Sequence, residues 1–503
     1  MEVKLAYLGI DIGTSACKAL VLGKDGNVLA SYTSEYGLDQ PQPGWTEQNP
    51  RVWIKGAKEA ISGALSKIPN SNISALGLSG QMHGLTPIDK TGNVIRPAIL
   101  WNDQRNSKEA AEIEALIGGT DKLLKLTNNR MLIGYTGGKI LWMQKHEPKN
   151  FEKIHIVLNP KDYLRFVLTG EFATEVSDAS GTGLFDVFRR TWSDGLLDKL
   201  SFDKSILPKA FESDIVTGQI SDVAAKAFSL PRGIPVIGGG GDAVIQTLGS
   251  GVIKPGNLQT TIGTAGIVAA ALKSPQENHL GRLQVFCNLA PDLWHVMGVS
   301  LNAGGALNWL RTILGSKQSF SELVETANKT DPGASGLLFL PYLNGERCPN
   351  PDPEARGTFW GLTTHHTSGH LVRSVMEGVV FSIYEISSLI NAMGIETNLV
   401  KASGGGTRSE LWRQMQADIF NCPVSTTKGA SEGAAFGAAL LSGVSQKNWD
   451  SIDEATNCCS ELTRNMPLEK NRKTYSKAYE IYSELYDKMK PSFRRLSEIT
   501  LSK

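Results

Sequence analysis

The chain has 503 residues, 41% hydrophobic and 20% charged, with 51 basic against 50 acidic side chains and a formal charge of +1. That length exceeds what one hydrophobic core usually serves and predicts two domains, residues 1–250 and 251–503. Balanced charge without a like-charge block, basic stripe or low-complexity tract excludes an electrostatic nucleic-acid binder, and every apolar run falls short of the roughly 18 residues of a membrane span.

A strand-like segment within the first ten residues leaves no room for a signal peptide, so the expected location is cytoplasmic. The six scattered cysteines form no C-x-x-C pair and read as free thiols, with Cys458 and Cys459 as two ordinary thiols on a helix.

In chain order, "AYLGID" (6–11) and "KALVLG" (18–23) flank the turn "IGTSAC", and "NVLASYT" (27–33) follows the turn "KDG". Alternating apolar positions with tight polar-glycine connections predict a three-stranded meander. "RVWIKGAKEAISGALSKI" (51–68), preceded by Pro50, has helical spacing, and "ISALGLSG" (73–80) returns as a buried strand. Residues 238–251, "GGGGDAVIQTLGSG", set one acid, Asp242, between four glycines and an apolar stretch with the pattern of a helix. Glycines there admit backbone conformations and close approaches that a Cβ forbids. An acid in that place either caps the helix or offers a carboxylate to something brought close.

The opening pattern recurs. "NLQTTIGTAGIVAAAL" (257–272) is again strand, Gly-Thr turn and strand, with "IGTA" matching "IGTS" at 12–15, which suggests two related halves. "NLVKASGGGTRSELWRQMQADIF" (398–420) reads as strand, glycine loop and helix with Ser409 at the helix start, and "EGAAFGAALLSG" (432–443) as a closely packed small-residue helix. The 4-3-4-3 stripe Tyr475, Tyr479, Tyr482, Tyr486, Met489 predicts a docking helix stopped by Pro491. His366 and His370 in "HHTSGH" lack a third ligand, which leaves a loop entering a helix.

Gly-Thr-Ser turns between strands present backbone N–H groups and hydroxyls to an anion such as a triphosphate. No G-x-x-x-x-G-K-[ST] is present, which excludes a P-loop, and no G-x-G-x-x-G opens a helix after the first strand. Two duplicated hairpin domains around a nucleotide are the arrangement of actin and hexokinase. In that geometry Asp11, at the end of the first strand, lies by the phosphates and holds Mg²⁺ directly or through water; as a lone residue it would read as a turn-capping aspartate.

The segments "YLGIDIGTSACKALVL", "PGWTEQNP" (43–50), "GLSGQMHGL" (77–85), "RPAILWNDQR" (96–105), "LNPKDYLRFVLTGEFATEVSDASGT" (158–182), "GGGGD" and "SGGGTRSELWRQMQAD" (403–418) carry a resemblance. Over roughly residues 5–445 the chain resembles the FGGY family of carbohydrate kinases, within it the branch acting on xylulose. The resemblance implies an α/β, two-domain, actin-like and ribonuclease H-like fold of the sugar kinase/hexokinase/actin superfamily, with a central cleft for ATP and sugar. It implies transfer of the γ-phosphoryl group of ATP, with Mg²⁺, to the 5-hydroxyl of D-xylulose, and it admits a homodimer. The family's catalytic base falls on Asp242, and its sugar contacts on Gln81, Met82 and His83, with Trp101 as a pocket wall. Its nucleotide contacts fall on Gly13, Thr14, Ser15 and Lys18 in the first hairpin, on Gly263, Thr264 and Asn308 in the second half, and on Gly404, Gly405 and Ser409 in the adenosine loop.

Two places depart from the family pattern: Ala243 follows the aspartate where asparagine is usual, and "GYTGGK" (134–139) lacks the expected proline. A methyl group makes no hydrogen bond to a sugar hydroxyl, so another ketose such as ribulose, a polyol or a sugar acid such as gluconate remains open as acceptor. A non-catalytic actin-like ATP switch is the reading from a different class. A hinge is expected near "SGVIKPG" (250–256), about which the halves close to exclude water.

Overall fold

The computed structural model describes residues 4–69 and 71–501. Strands Lys4–Ile12 and Ala16–Gly23 form the first antiparallel hairpin, Val28–Glu35 pairs with the second strand, and after the helix Arg51–Leu65 the strand Ser71–Gly80 lies parallel to the first. Pro235–Ile237 and Val216–Gln219 extend the sheet beyond Ser71–Gly80. The second half repeats this plan. Asn257–Ile262 and Gly266–Leu272 form a hairpin, Trp294–Ser300 pairs with its second strand, and Leu399–Ser403 lies parallel to its first. Val424–Thr427 and Glu461–Asn465 follow on that side, and Gln284–Cys287 closes the other edge. The matched order shows two copies of one sheet, as the twin Gly-Thr turns suggested.

Period-two alternation decides what each strand presents. Leu8, Ile10 and Ile12 are fully buried on the face that packs with Trp53, Ala57, Ala60 and Ile61 of the helix Arg51–Leu65. The intervening Tyr7, Gly9 and Asp11 therefore face the opposite side. On that side the helix Ala434–Ser445, from the second half, lies across the first sheet. A Cβ on Gly9 would sit 1.9 Å from the Ala435 carbonyl oxygen, and one on Gly77 2.1 Å from that of Ala438. Only glycine admits so close an approach of helix to strand. The helix Asp242–Ser250 packs on Ala434–Ser445 in the same way, with Gly437 against the Ile245 carbonyl.

The C-terminal helix runs from Glu469 to Leu501 and seats Tyr475 and Tyr482 against Phe381 of the long helix Ser368–Asn391. It does not stop at Pro491 as expected. The proline is exposed, so the Asp487 carbonyl that loses its partner faces water, while Phe493, buried to 1% exposure, anchors the turn beyond. Cys458 and Cys459 also depart from expectation: Cys458 ends a 3₁₀ turn, Thr456–Cys458, because the chain must reverse into Glu461–Asn465. Cys459 lies just past that turn and donates to the Leu248 and Gly249 carbonyls at 3.4 and 3.2 Å. No helix among the described residues is long and apolar enough to cross a membrane.

Candidate active site

The C-terminal end of Lys4–Ile12 delivers Asp11 and the turn behind it. Register pairs Asp11 with Lys18 across the hairpin and with Ser79 on the parallel strand, whose hydroxyl donates to Asp11 Oδ1 at 2.9 Å. The turn is tied from behind: Tyr36 Oη donates to the Gly13 carbonyl at 2.8 Å and Gln48 Nε2 to the Thr14 carbonyl at 2.7 Å. Thr14 Oγ1 donates to Gln81 Oε1 at 3.1 Å and accepts from Trp101 Nε1 at 3.0 Å. Ser15 stands exposed at the tip. Gln81 is thus a buried support of this turn, and Trp101, 40% exposed, overhangs it. Lys18 Nζ reaches across the halves to Glu432, bonding both its carboxylate and its carbonyl at 2.8 Å.

In the second half the Gly263–Thr264 turn is closed by three amides: Gly304 donates to the Gly263 carbonyl at 2.7 Å, and Ala303 and Gly305 donate to that of Thr264 at 2.8 and 3.1 Å. Beside it opens a cavity of about 740 Å³ lined by both turn residues, Asn308, Gly405 and Ser409, with Leu307, Phe320, Val324 and Trp412 as an apolar wall. Its volume falls in the range of ligand pockets, and an apolar slot edged by backbone and a few polar groups suits a flat heterocycle. Gly404, at φ 81°, carries the loop past Ile262, whose carbonyl oxygen would lie 2.7 Å from a Cβ. Ser409 caps the helix Glu410–Phe420 by accepting from the Trp412 amide at 3.1 Å. The apolar wall is missed by sequence reading, because Phe320 and Val324 lie on a helix whose spacing looks like ordinary packing.

Asp242 is the first residue of the helix Asp242–Ser250. Gly241, not the aspartate, takes the capping position, and Asp242 Oδ1 accepts from the Ala243 amide at 2.7 Å. Burial first, and the neighbouring Asp11 charge second, push its carboxyl up to about 7. Burial likewise raises Asp11, opposed by the Ser79 hydrogen bond and Lys18. Two carboxyls resisting ionisation beside one another form an environment that a cation would relieve.

Met82 packs on Gly241, whose Cβ would lie 2.6 Å from Met82 Cγ. His83 follows at φ 67°. Its Nδ1 meets the Gly181 carbonyl and its ring stacks on Tyr135, with centroids 4.6 Å apart. Burial drops its pKa to about 3, so the ring is neutral; Nδ1 carries the proton toward Gly181 and Nε2 is left as an acceptor. The His83 carbonyl accepts from Lys139 Nζ at 2.8 Å and Thr136 Oγ1 at 3.1 Å. Tyr135, Thr136 and Lys139 belong to the departing "GYTGGK" stretch, and neither their spacing nor their type marks them as partners of residue 83.

Asp11, Thr14, Gln81, Met82, His83, Trp101 and Asp242 thus gather at the end of the first sheet. Gly263, Thr264, Asn308, Gly404, Gly405 and Ser409 gather around the second turn, and Lys18 is engaged with Glu432. Among the described residues no cluster of three or more His, Cys, Asp or Glu forms a metal site by itself, and the rings of His366 and His370 bond Thr363, Thr367 and Ser335 instead.

Twin sheets of one topology, each ending in a Gly-Thr turn, with a carboxyl held near neutrality beside the first, define a two-lobed phosphotransferase of the actin-like class. The N-terminal domain model of the FGGY family of carbohydrate kinases matches residues 6–249 and its C-terminal domain model residues 258–446; the chain belongs to this family and is a sugar kinase. It is 36% identical over 485 residues to the xylulose kinase of Staphylococcus xylosus, covering 96% of this chain and 100% of that one. Among solved structures it resembles a xyloylose kinase from Brucella ovis at TM-score 0.91 and 36% identity, covering 98% of this chain and 100% of that one. A gluconate kinase from Lactobacillus acidophilus superposes at TM-score 0.93 with 26% identity and the same coverage.

Proposed function

We propose that the protein transfers the γ-phosphoryl group of ATP to the 5-hydroxyl of D-xylulose, giving D-xylulose 5-phosphate and ADP. The observation that carries the reading is the Asp242 carboxyl, raised to about 7 by burial and by Asp11 at the end of the first hairpin. The base must be ionised when the acceptor arrives and basic enough to take its proton, and a pKa near the working pH serves both needs. Near full-length similarity to xylulose kinases supports the choice of acceptor.

In this reading the adenosine occupies the cavity between Phe320, Trp412 and Asn308, and the phosphates run between the Gly263–Thr264 and Gly13–Ser15 turns. Lys18 exchanges its Glu432 partner for phosphate oxygen. Asp11 fits a Mg²⁺ that arrives with the nucleotide, since such ions take one or two carboxylates plus phosphate oxygens; it supplies charge neutralisation on the triphosphate. His83 Nε2 accepts from a sugar hydroxyl, Met82 and Trp101 wall the pocket, and Asp242 orients the attacking hydroxyl. That oxygen bonds to the γ-phosphorus as the bond from the γ-phosphorus to the β–γ bridging oxygen breaks, and its proton passes to the Asp242 carboxylate.

A second reading, a sugar acid such as gluconate as acceptor, is favoured by Ala243, whose methyl offers no hydrogen bond to a ketose hydroxyl, and by the likeness to a gluconate kinase. ADP release measured with Mg-ATP and separate pentuloses, hexuloses, polyols and aldonates decides between them. Release is expected with D-xylulose. Release with gluconate alone overturns the first reading in favour of the second, and release without any acceptor points to an ATP switch.

A further inference from the structure

A run of four glycines has no side chains with which to hold itself, yet Asp242 hangs from its end. Gly239 is at φ 72°, against the Leu78 carbonyl, and the run is gripped by groups that the proposed chemistry does not use. Arg165 Nη2 donates to the Gly238 carbonyl, and the Gly239 amide donates to the Ser213 carbonyl at 2.8 Å. The Gly241 amide, one residue before Asp242, donates to Ser177 Oγ at 3.0 Å.

Ser177 is itself oriented. Its single hydroxyl proton goes to Glu175 Oε1 at 2.7 Å, which turns a lone pair toward Gly241. Glu175 is locked in turn: its two oxygens accept from the Ser177 amide at 2.7 Å, the Asp178 amide at 2.8 Å and Ser213 Oγ at 3.0 Å. Lys161, Asp162, Arg165 and Asp178 complete the surrounding cluster, and all are fully buried. Lys161 Nζ lies 2.7 Å from Asp162, 3.1 Å from Asp178 and 3.5 Å from Glu175. Met82 presses on Gly241 from the other side.

We infer that Ser177, oriented by Glu175, is a positioning residue for phosphoryl transfer: it fixes the Gly241 amide and thereby the place from which the Asp242 carboxyl meets the acceptor hydroxyl. The inference rests on the reading of Asp242 as the base. Displacement of a reacting group by about 1 Å costs on the order of 10²-fold in rate, and loss of the Ser177 bond leaves that distance to the two-residue pairing of Gly240–Gly241 with Ser79–Gly80 and to the Met82 contact.

Ser177→Ala is expected to lower kcat about 10- to 100-fold while the KM values for ATP and acceptor stay within about twofold, since neither ligand touches Ser177. Ser213→Ala removes a hydrogen bond to the same carboxylate without touching the Gly241 amide, and is expected to keep kcat within about twofold at a comparable change in Tm. Active enzyme is counted by calorimetric titration with ADP, so that partial unfolding does not pass for lost turnover. Should Ser177→Ala fail to fold, Ser177→Cys, a weaker acceptor, is expected to show an intermediate kcat. Undiminished kcat in a folded Ser177 variant, or equal losses in the Ser177 and Ser213 variants, overturns the inference. Asp242→Asn keeps the two failures apart: if it is inactive while Ser177→Ala is normal, only the positioning role falls; if it is fully active, the base assignment falls first.

Discussion

At the scale of single residues, the sign of one shift sets the pH behaviour. Asp242 is raised to about 7 by burial and by Asp11, so the ionised form that accepts a proton accumulates only above that pH. The rate kcat/KM is expected to decline below pH about 7 with a slope of one proton. His83, already lowered to about 3, adds no limb in that range. The same raised pKa withdraws stability: between the ordinary 3.8 and about 7 the unfolded carboxyl ionises while the folded one resists, so stability falls as pH rises through that window. Asp242→Asn is expected to cost about 10² to 10⁴ in kcat yet to raise Tm at pH 7.5, with nucleotide binding retained. Calorimetry and initial rates on one preparation check both halves of that statement.

At the scale of elements, the helix Thr136–His146 serves residue 83 through its first turns. Lys139, fully buried, donates to the carbonyls of His83 and Gly134 at 2.8 and 2.5 Å, stitching two loops that flank the stacked His83 and Tyr135 rings. Burial pushes the Lys139 pKa well below the usual lysine range, and Lys139→Met removes two hydrogen bonds worth about 0.5–1.5 kcal/mol each. It is expected to raise the acceptor KM at least about tenfold with the ATP KM unchanged, as initial rates with either substrate varied will tell. The strands were legible in the sequence because alternation and glycine turns are local, and so was the place of Asp11 at the end of the first strand. Ser409 was legible for the same reason, being a cap next to its helix. Lys139 was not legible, because its partner lies 56 residues away and a lysine in a helix looks like a solvated one. Pro491 misled because a proline's cost depends on whether water reaches the orphaned carbonyl, which only the packed helix reveals.

At the scale of the whole molecule, the sheets carry the same plan while the groups that join them have no counterpart in the repeat. The bridge from Lys18 to Glu432 is one of these, and each side chain is about one quarter exposed. In the proposed function the triphosphate competes with Glu432 for Lys18, so Glu432→Gln is expected to lower the ATP KM. A solvent-accessible ion pair of this kind is worth roughly 0–1 kcal/mol, which caps the gain at about fivefold. Initial rates at varied ATP on both proteins give the ratio directly. The duplication was legible from "IGTS" and "IGTA"; the crossing pair was not, because nothing near Glu432 in sequence refers to residue 18.

The helix Ala434–Ser445, seated on Gly9 and Gly77, bears on biosynthesis. A nascent polypeptide that has emerged only as far as its first sheet exposes a bare glycine-lined strand surface whose cover is still hundreds of codons from translation. Completion of the amino-terminal lobe therefore waits on nearly the entire message. A fragment ending at the lobe boundary would emerge with that surface naked, open to aggregation and to chaperones that sequester exposed apolar chain.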